Sequence, residues 1–344
     1  MKISEMLHRE DFYEINKKTL TGFFGEGLKG ETLFVYPQLN AIITKRPSKE
    51  VKSYLYNEYK VRGNFIKALI VKVYVFVCLN SNGLLAQRKI NIPNEMTAKK
   101  LIYPCNKKYR IFDFENNIVT VIPKCGFPTR DLEREIEFRS NNQASFIPGL
   151  VSFSEKKYSE NIIDGLPLAR ITGDFENLCE QAVATLEKYA EKTENVIEKN
   201  AKDYLFELKT RIDNFKNKEN KNFDKTALEK VVSELADFVE DETITLTLSH
   251  GDLQPGNVWI DKDEKIFIID WESWNQRSVW YDRAIMFNNI RSKGLGEYLK
   301  SNPKTTKTAI VCLEDIIFRL NELFNLPFDY GEKEFDMYIK SLNF

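Results

Sequence analysis

The sequence predicts an α+β chain in three parts. These are an N-terminal extension of unknown role over residues 1–95, a sheet-rich stretch over 96–168 and a mainly helical stretch over 169–344. Three observations carry this reading. The runs 109–114 (YRIFDF) and 118–122 (IVTVI) flank Glu115-Asn116-Asn117, which is the pattern of a hairpin. Residues 174–240 are charged and periodic, as exposed helices are. Residues 248–272 hold a dense polar motif around a second hairpin pattern. At 344 residues and 42% hydrophobic, the chain can bury a sizeable core and suits two lobes better than one.

Along the extension, Val51, Tyr54, Leu55 and Tyr59 recur near helical spacing and predict an amphipathic helix over 50–61. The run 68–79 (ALIVKVYVFVCL) is open between a strand, by composition, and a buried helix, by length. It falls short of the roughly 20 residues a membrane span needs. After the first hairpin, 129–139 predicts a helix with Leu132 and Ile136 on one face. Two short strands follow near 150–153 and 159–163 and end at the turn Asp164-Gly165-Leu166-Pro167. Residues 216–224 (KNKENKNFD) form a polar connector, and 244–248 a short apolar strand.

Composition narrows the function. Fifty Lys+Arg against 51 Asp+Glu leave a net charge of -1, so no basic footprint points to nucleic acid. Two histidines, His8 and His250, exclude a three-histidine metal site and confine any Ser-His-Asp or Cys-His chemistry to one of them. Five cysteines without a CxxC pair suit a reducing compartment, and the first residues show no secretory apolar region. The expectation is a cytoplasmic chain with no transmembrane segment.

The motif reads LSHGDLQPGNVWIDKDEKIFIIDWE over 248–272. Asn257 and Asp270 stand at the outer ends of the second hairpin, so pairing brings them together, with Asp252 on the loop just before. Oxygen ligands of this kind suit Mg²⁺ and its phosphate partners. Phosphoryl transfer asks for placement, charge neutralisation and a proton acceptor rather than covalent chemistry. His250, Asp252 and Asn257 have the spacing of the kinase catalytic loop H-R-D-x-x-x-x-N, with Gly251 in place of Arg.

HGDLQPGNV followed by IIDWE resembles the aminoglycoside phosphotransferase and choline kinase family of small-molecule kinases. The resemblance implies a bilobal protein-kinase-like fold, ATP or GTP, Mg²⁺, and a sugar, aminoglycoside or amino alcohol whose hydroxyl accepts the phosphate. It implies Asp252 as the base, Asn257 and Asp270 as metal ligands, and His250 as a brace for the loop. Residues 162–168 are similar to the family's hinge, with Ile163 offering backbone to the adenine. Glu135 matches the helix glutamate that pairs the ATP-binding lysine. Lys124 is assigned that lysine, although setting residues 119–123 on the family's Val-Leu-Lys-Val-Pro pattern puts Val121 at its position. A one-residue shift moves a strand side chain to the other face.

A competing match, Gly25-Glu26-Gly27-Leu28-Lys29-Gly30 with Lys45 downstream, fits G-x-G-x-x-G. Lys45 lies much further before Asp252 than Lys124 does, and the resemblance favours the shorter gap. Trp271, Trp274 and Trp280 could cage a quaternary ammonium group, but packing onto the C-terminal helices is the preferred reading. Asp282 reads as a helix cap. The apolar run flanked by Arg62, Lys67 and Arg88 suits either a peripheral membrane contact or an extra packing layer. Two other functions stay open: an inert pseudokinase serving as an interaction module, and a kinase of a lipid-linked or surface glycan.

Overall fold

The computed structural model describes residues 10–25, 30–61, 65–171, 173–288, 290–327 and 329–342. His8, Arg62 and most of the Gly25–Gly30 turn lie outside them. The chain forms two compact units, Met1–Gly173 with Ile260–Lys265, and Asp174–Trp259 with Ile266–Phe344.

The first unit is built on one antiparallel sheet of eight strands in the order β3-β1-β2-β4-β5-β6-β8-β7. Its outer three strands come from the extension: β1 (Glu31–Tyr36), β2 (Ala41–Ile43) and β3 (Arg88–Ile92). They join β4 (Lys100–Pro104) through Ile42 opposite Ile102. Residues 31–92 thus continue the sheet rather than stand apart from the sheet-rich stretch after 95. The predicted hairpin is β5 (Lys108–Asp113) with β6 (Ile118–Pro123), in register from Lys108↔Pro123 to Asp113↔Ile118. Asn117 turns it at φ 55. The helix α4 (Arg130–Asn141) follows, then β7 (Leu150–Ser154), β8 (Lys157–Asn161) and the short β9 (Gly165–Pro167) in place of the expected turn. At Gly165 a side chain has no room, since a Cβ there would lie 2.1 Å from the Ile260 carbonyl oxygen.

Three further helices complete the unit: α1 (Glu10–Phe24), α2 (Lys49–Glu58) and α3 (Phe65–Asn80). Ser48 caps α2 by accepting the Val51 N–H. In α3, length decides against strand-like composition, and only Val75, Cys78 and Leu79 turn fully inward.

Strand alternation divides the sheet into two faces. Phe112, Val119 and Val121 pack with Leu132 and Ile136 of α4 and with Tyr158. Tyr109, Ile111 and Ile122 pack on the other side, with Leu20 of α1. Lys124 continues the second set. Its ammonium lies 5.2 Å from the Tyr109 ring centre, 5.5 Å from Phe12 and 5.9 Å from Phe127.

The second unit starts with α5 (Phe175–Lys192), α6 (Ala201–Lys216) and α7 (Lys225–Ala236). The expected polar connector falls between Lys216 and Lys225, and the mainly helical reading of 174–240 is corrected at Val196–Asn200, which forms strand β10. Glu194, at φ 56, breaks the helix, and β10 then pairs antiparallel with β11 (Thr243–Ser249) from Val196↔Thr247 to Asn200↔Thr243. The hairpin β12 (Val258–Asp261) and β13 (Ile266–Ile268) comes next, and β14 (Asn275–Ser278) lies along the other side of β11. The chain ends in α8 (Tyr281–Phe287), α9 (Ile290–Lys293), α10 (Leu295–Ser301), α11 (Thr306–Asn325) and α12 (Glu332–Lys340). The core gathers around α11, whose Ile310, Leu313, Ile316 and Leu320 are fully buried. Among the described residues no helix is long and apolar enough to cross a membrane.

Burial pushes the Lys124 ammonium down to about 8. Below that value the folded protein carries a desolvated charge that the unfolded chain holds in water. Lys124→Met should therefore raise stability near neutral pH, by on the order of 2–3 kcal/mol less what the three ring faces return. The gain should shrink as pH rises from about 8 toward about 10, where the folded wild type has shed its proton and the unfolded chain has not. Thermal melts of both proteins across that range test this, and a constant difference in Tm would refute it.

Candidate active site

Residues 248–259 and 266–272 of the motif lie in the second unit and fold into one hydrogen-bonded assembly. After β11 the chain turns tightly: the Gln254 N–H donates to the Asp252 carbonyl at 2.8 Å and the Asn257 N–H to the Gln254 carbonyl at 2.8 Å. The hairpin then returns, and the Ile269 N–H donates to the Asn257 carbonyl at 2.9 Å. The outer ends meet as the strand–turn–strand pattern requires, with Asp270 following Ile269 at φ 73.

His250 is fully buried and locks this loop to the hairpin. Its Nδ1 accepts the Asp252 N–H at 3.2 Å, so the proton sits on Nε2, which donates to the Ile269 carbonyl at 2.9 Å. Trp271 meets the imidazole edge-on at 4.7 Å and donates its indole N–H to the Ile268 carbonyl. From the first turn of α8, Asp282 accepts the His250 N–H at 2.8 Å and the Gly251 N–H at 3.1 Å. It clamps the loop, where the sequence suggested a helix cap. Gly251 sits at φ 84, and a Cβ there would fall 2.3 Å from the Ser273 carbonyl oxygen and 2.6 Å from an Arg277 nitrogen. The crowded backbone accounts for glycine in place of the kinase loop's arginine.

Asp252 is held at both oxygens. Oδ1 accepts from Arg291 Nε at 2.7 Å, while Oδ2 accepts from Gln254 Nε2 at 3.0 Å and Asn257 Nδ2 at 3.1 Å. Asn257 also donates to the Asp252 carbonyl at 2.9 Å. Its nitrogen is therefore committed to the loop, which leaves the amide oxygen as a ligand atom. Arg291, on α9, donates further to the Gly251 carbonyl and the Tyr281 hydroxyl, both at 3.0 Å, and pairs with Asp315 of α11. Burial pushes the Asp315 carboxyl up, but Arg291 and Arg319 outweigh it and hold the group below its usual value. Beside it, Glu314 accepts from the Ser278 N–H and the Tyr204 hydroxyl, and burial pushes it up to about 7. Sequence reasoning missed Arg291, because no local spacing marks a partner 39 positions from Asp252.

The first unit holds a second polar cluster. Glu135 is fully buried on α4 and accepts from the Tyr158 hydroxyl at 2.9 Å and from Arg139 at 3.3 Å. Arg139 in turn pairs with Glu160 at 2.6 Å. Glu135 does meet a lysine, but it is Lys108 of β5, at 3.1 Å. Lys124, the lysine assigned from the sequence, lies on the α1 face of the sheet, whereas Lys108 stands opposite Pro123 in the register, on the same face as Val121 and α4. Lys107 pairs with Asp131 at 2.7 Å at the start of the same helix. Lys45 is exposed just after β2. Ile163 follows β8, and its carbonyl accepts the Gly165 N–H at 3.0 Å. Trp271 is buried and Trp280 packs against the helical core, so both serve packing.

Residues 170–295 match the family model described as choline/ethanolamine kinase. No curated protein matches the chain. Among solved structures, the fold is similar to a choline kinase from Streptococcus pneumoniae, at 14% identity over 72% of this chain and 91% of that one, with a TM-score of 0.40. A choline kinase from Cryptosporidium parvum gives 13% identity, 71% and 88% coverage and a TM-score of 0.42. An aminoglycoside phosphotransferase solved with gentamicin gives 16%, 69% and 87%, and a TM-score of 0.44.

The Gly251 geometry is open to test. Gly251→Ala should cost about 1–3 kcal/mol for the left-handed backbone alone, with the clash against Ser273 added. Chemical denaturation should show the loss, and unaltered stability would mean that the loop relaxes freely.

Proposed function

We propose that the chain, whose residues 170–295 match the choline/ethanolamine kinase model, belongs to that family. From that premise we propose that it is a phosphotransferase that moves the γ-phosphate of ATP or GTP to a hydroxyl of a small molecule. The observation that supports this most is the convergence of Asp252, Asn257 and Asp270 on one rigid loop and hairpin. An amino alcohol of the choline type is the first acceptor to try, with aminoglycosides and sugars after it.

In this reading Asp252 accepts the hydroxyl proton at Oδ2. The hydroxyl oxygen bonds to the γ-phosphorus as the bond to the β,γ-bridging oxygen breaks, and the nucleoside diphosphate leaves. Arg291 stays on Oδ1 and keeps the carboxylate oriented. Two neutral amides, Gln254 and Asn257, cover Oδ2, and such donors yield to an incoming hydroxyl more readily than an ion pair does. The Asn257 amide oxygen and the Asp270 carboxylate are hard oxygen donors, which fit Mg²⁺. When bound, Mg²⁺ supplies charge neutralisation for the phosphates. In the first unit, Lys108 paired with Glu135 takes the role of the phosphate-binding lysine, and the Ile163 backbone that of the adenine contact.

Phosphate transfer to a panel of amino alcohols, aminoglycosides and sugars, with ATP or GTP and Mg²⁺ and read by mass spectrometry, tests the activity. Asp252→Asn should lower kcat by roughly 10²–10⁴-fold and leave nucleotide affinity nearly unchanged. Nucleotide binding without transfer to any acceptor would favour an inert interaction module instead. Lys108→Met should raise the KM for nucleotide and lower kcat, while Lys124→Met should change neither. The reverse pattern would return the role to Lys124.

A further inference from the structure

The helix α3 leaves an unusual surface. Its inward residues Val75, Cys78 and Leu79 pack in one core with Val51 and Leu55 of α2. Outward, Phe65 is 82% exposed, Ile66 70% and Ile70 63%, and Leu69, Val73 and Phe76 are exposed beside them. At about 100° per residue these side chains, with Tyr74, form one apolar arc over roughly half the helix circumference, which exposed Asn80 ends at the last residue of the helix. The same geometry sets exposed Lys72 at one margin of the arc, next to Phe65, and exposed Lys67 at the other, next to Tyr74. The turn after the helix adds Leu84, 87% exposed. Residues 65–92 contain Lys67, Lys72, Arg88 and Lys89 and no acidic residue.

We propose that this face docks on an anionic lipid surface, with α3 lying in the plane of the membrane. The arc would sink to the level of the acyl boundary, and the two marginal lysines would reach outward to the headgroups along their aliphatic stems. Length sets the orientation. A helix of 16 residues is about 24 Å long, short of the ~30 Å hydrocarbon core, so it rests in the interface and does not span it. Charge sets the partner. A second copy of the chain would bring lysine-rimmed face against lysine-rimmed face, which like-charge repulsion opposes. An anionic leaflet offers both an apolar layer and opposite charge.

The test is flotation of the full chain with vesicles of phosphatidylcholine alone and of phosphatidylcholine mixed with phosphatidylglycerol. The protein should float with the mixed vesicles, and added salt should release it. Lys67→Gln with Lys72→Gln should weaken binding roughly 25-fold, about fivefold per lysine. Ile66→Ser with Ile70→Ser should abolish flotation while circular dichroism and Tm stay at the wild-type values. Three results would overturn the proposal. One is no flotation with either vesicle. Another is equal flotation with both, unaffected by either pair of substitutions. The third is light scattering that shows a lipid-free dimer which the serine pair converts to monomer, since that assigns the face to a second copy. None of these readouts depends on phosphotransferase activity.

Discussion

One carboxylate holds the polar loop of the second unit in place. Asp282 takes the N–H groups of His250 and Gly251 on its two oxygens, and both donors are buried. Hydrogen bonds to a charged group contribute about 1.5–3 kcal/mol each, enough to offset the ~1–3 kcal/mol of a strained backbone such as Gly251 at φ 84. Once the loop is seated, His250 has a single tautomer. Nδ1 takes the Asp252 N–H and Nε2 gives to the Ile269 carbonyl. The Ile269 N–H then closes on Asn257. A continuous hydrogen-bonded path runs from Asp282 to Asp252 and Asn257, and Asp270 follows Ile269 directly in the chain, so the positions of the three are not independent.

Arg291 sets the electrostatics of that cluster. It is buried between two carboxylates, Asp252 and Asp315, and a second arginine lies 3.8 Å from Asp315. Buried charges repay their desolvation only when every lone pair and proton finds a partner. Here the guanidinium also satisfies the Gly251 carbonyl and the Tyr281 hydroxyl, and it lies 3.7 Å from the Phe318 ring centre. The arrangement anchors one oxygen of Asp252 firmly and the other weakly. That asymmetry is what a group needs if it must stay oriented and still exchange a partner.

The cluster was legible in the sequence because its parts are local. Spacing alone links His250, Asp252 and Asn257, and the turn in the second hairpin folds Asp270 back to them. Glu135 was legible for a similar reason, since the periodicity around Leu132 and Ile136 fixes which side of α4 turns inward. Its lysine partner was not. Lys108 and Lys124 lie at the same open end of one hairpin, on opposite faces of the sheet. Which of them meets Glu135 depends on the register and on which face α1 covers, and neither is a property of the hairpin itself. The same holds for Asp282 and Arg291, whose partners are distant in sequence. In residues 196–200 the charged composition resembles its helical surroundings, and pairing with β11 overrides that local preference.

The extension meets two separate physical demands. Strands β1, β2 and β3 cover what would otherwise be the open edge of β4, a liability in any sheet, and α1 closes the sheet face opposite α4. Helix α3 is not needed for either. It contributes three fully buried side chains to the core, and a soluble cover would require only these, with polar residues elsewhere on the helix. Its outward arc is instead as apolar as a core, and the packing of the unit does not call for it. The lysines stand at the margins of the arc and leave it unbroken. Charges placed to keep a surface in water would interrupt the apolar residues, whereas charges at the rim are those of a helix that lies at a boundary between two media.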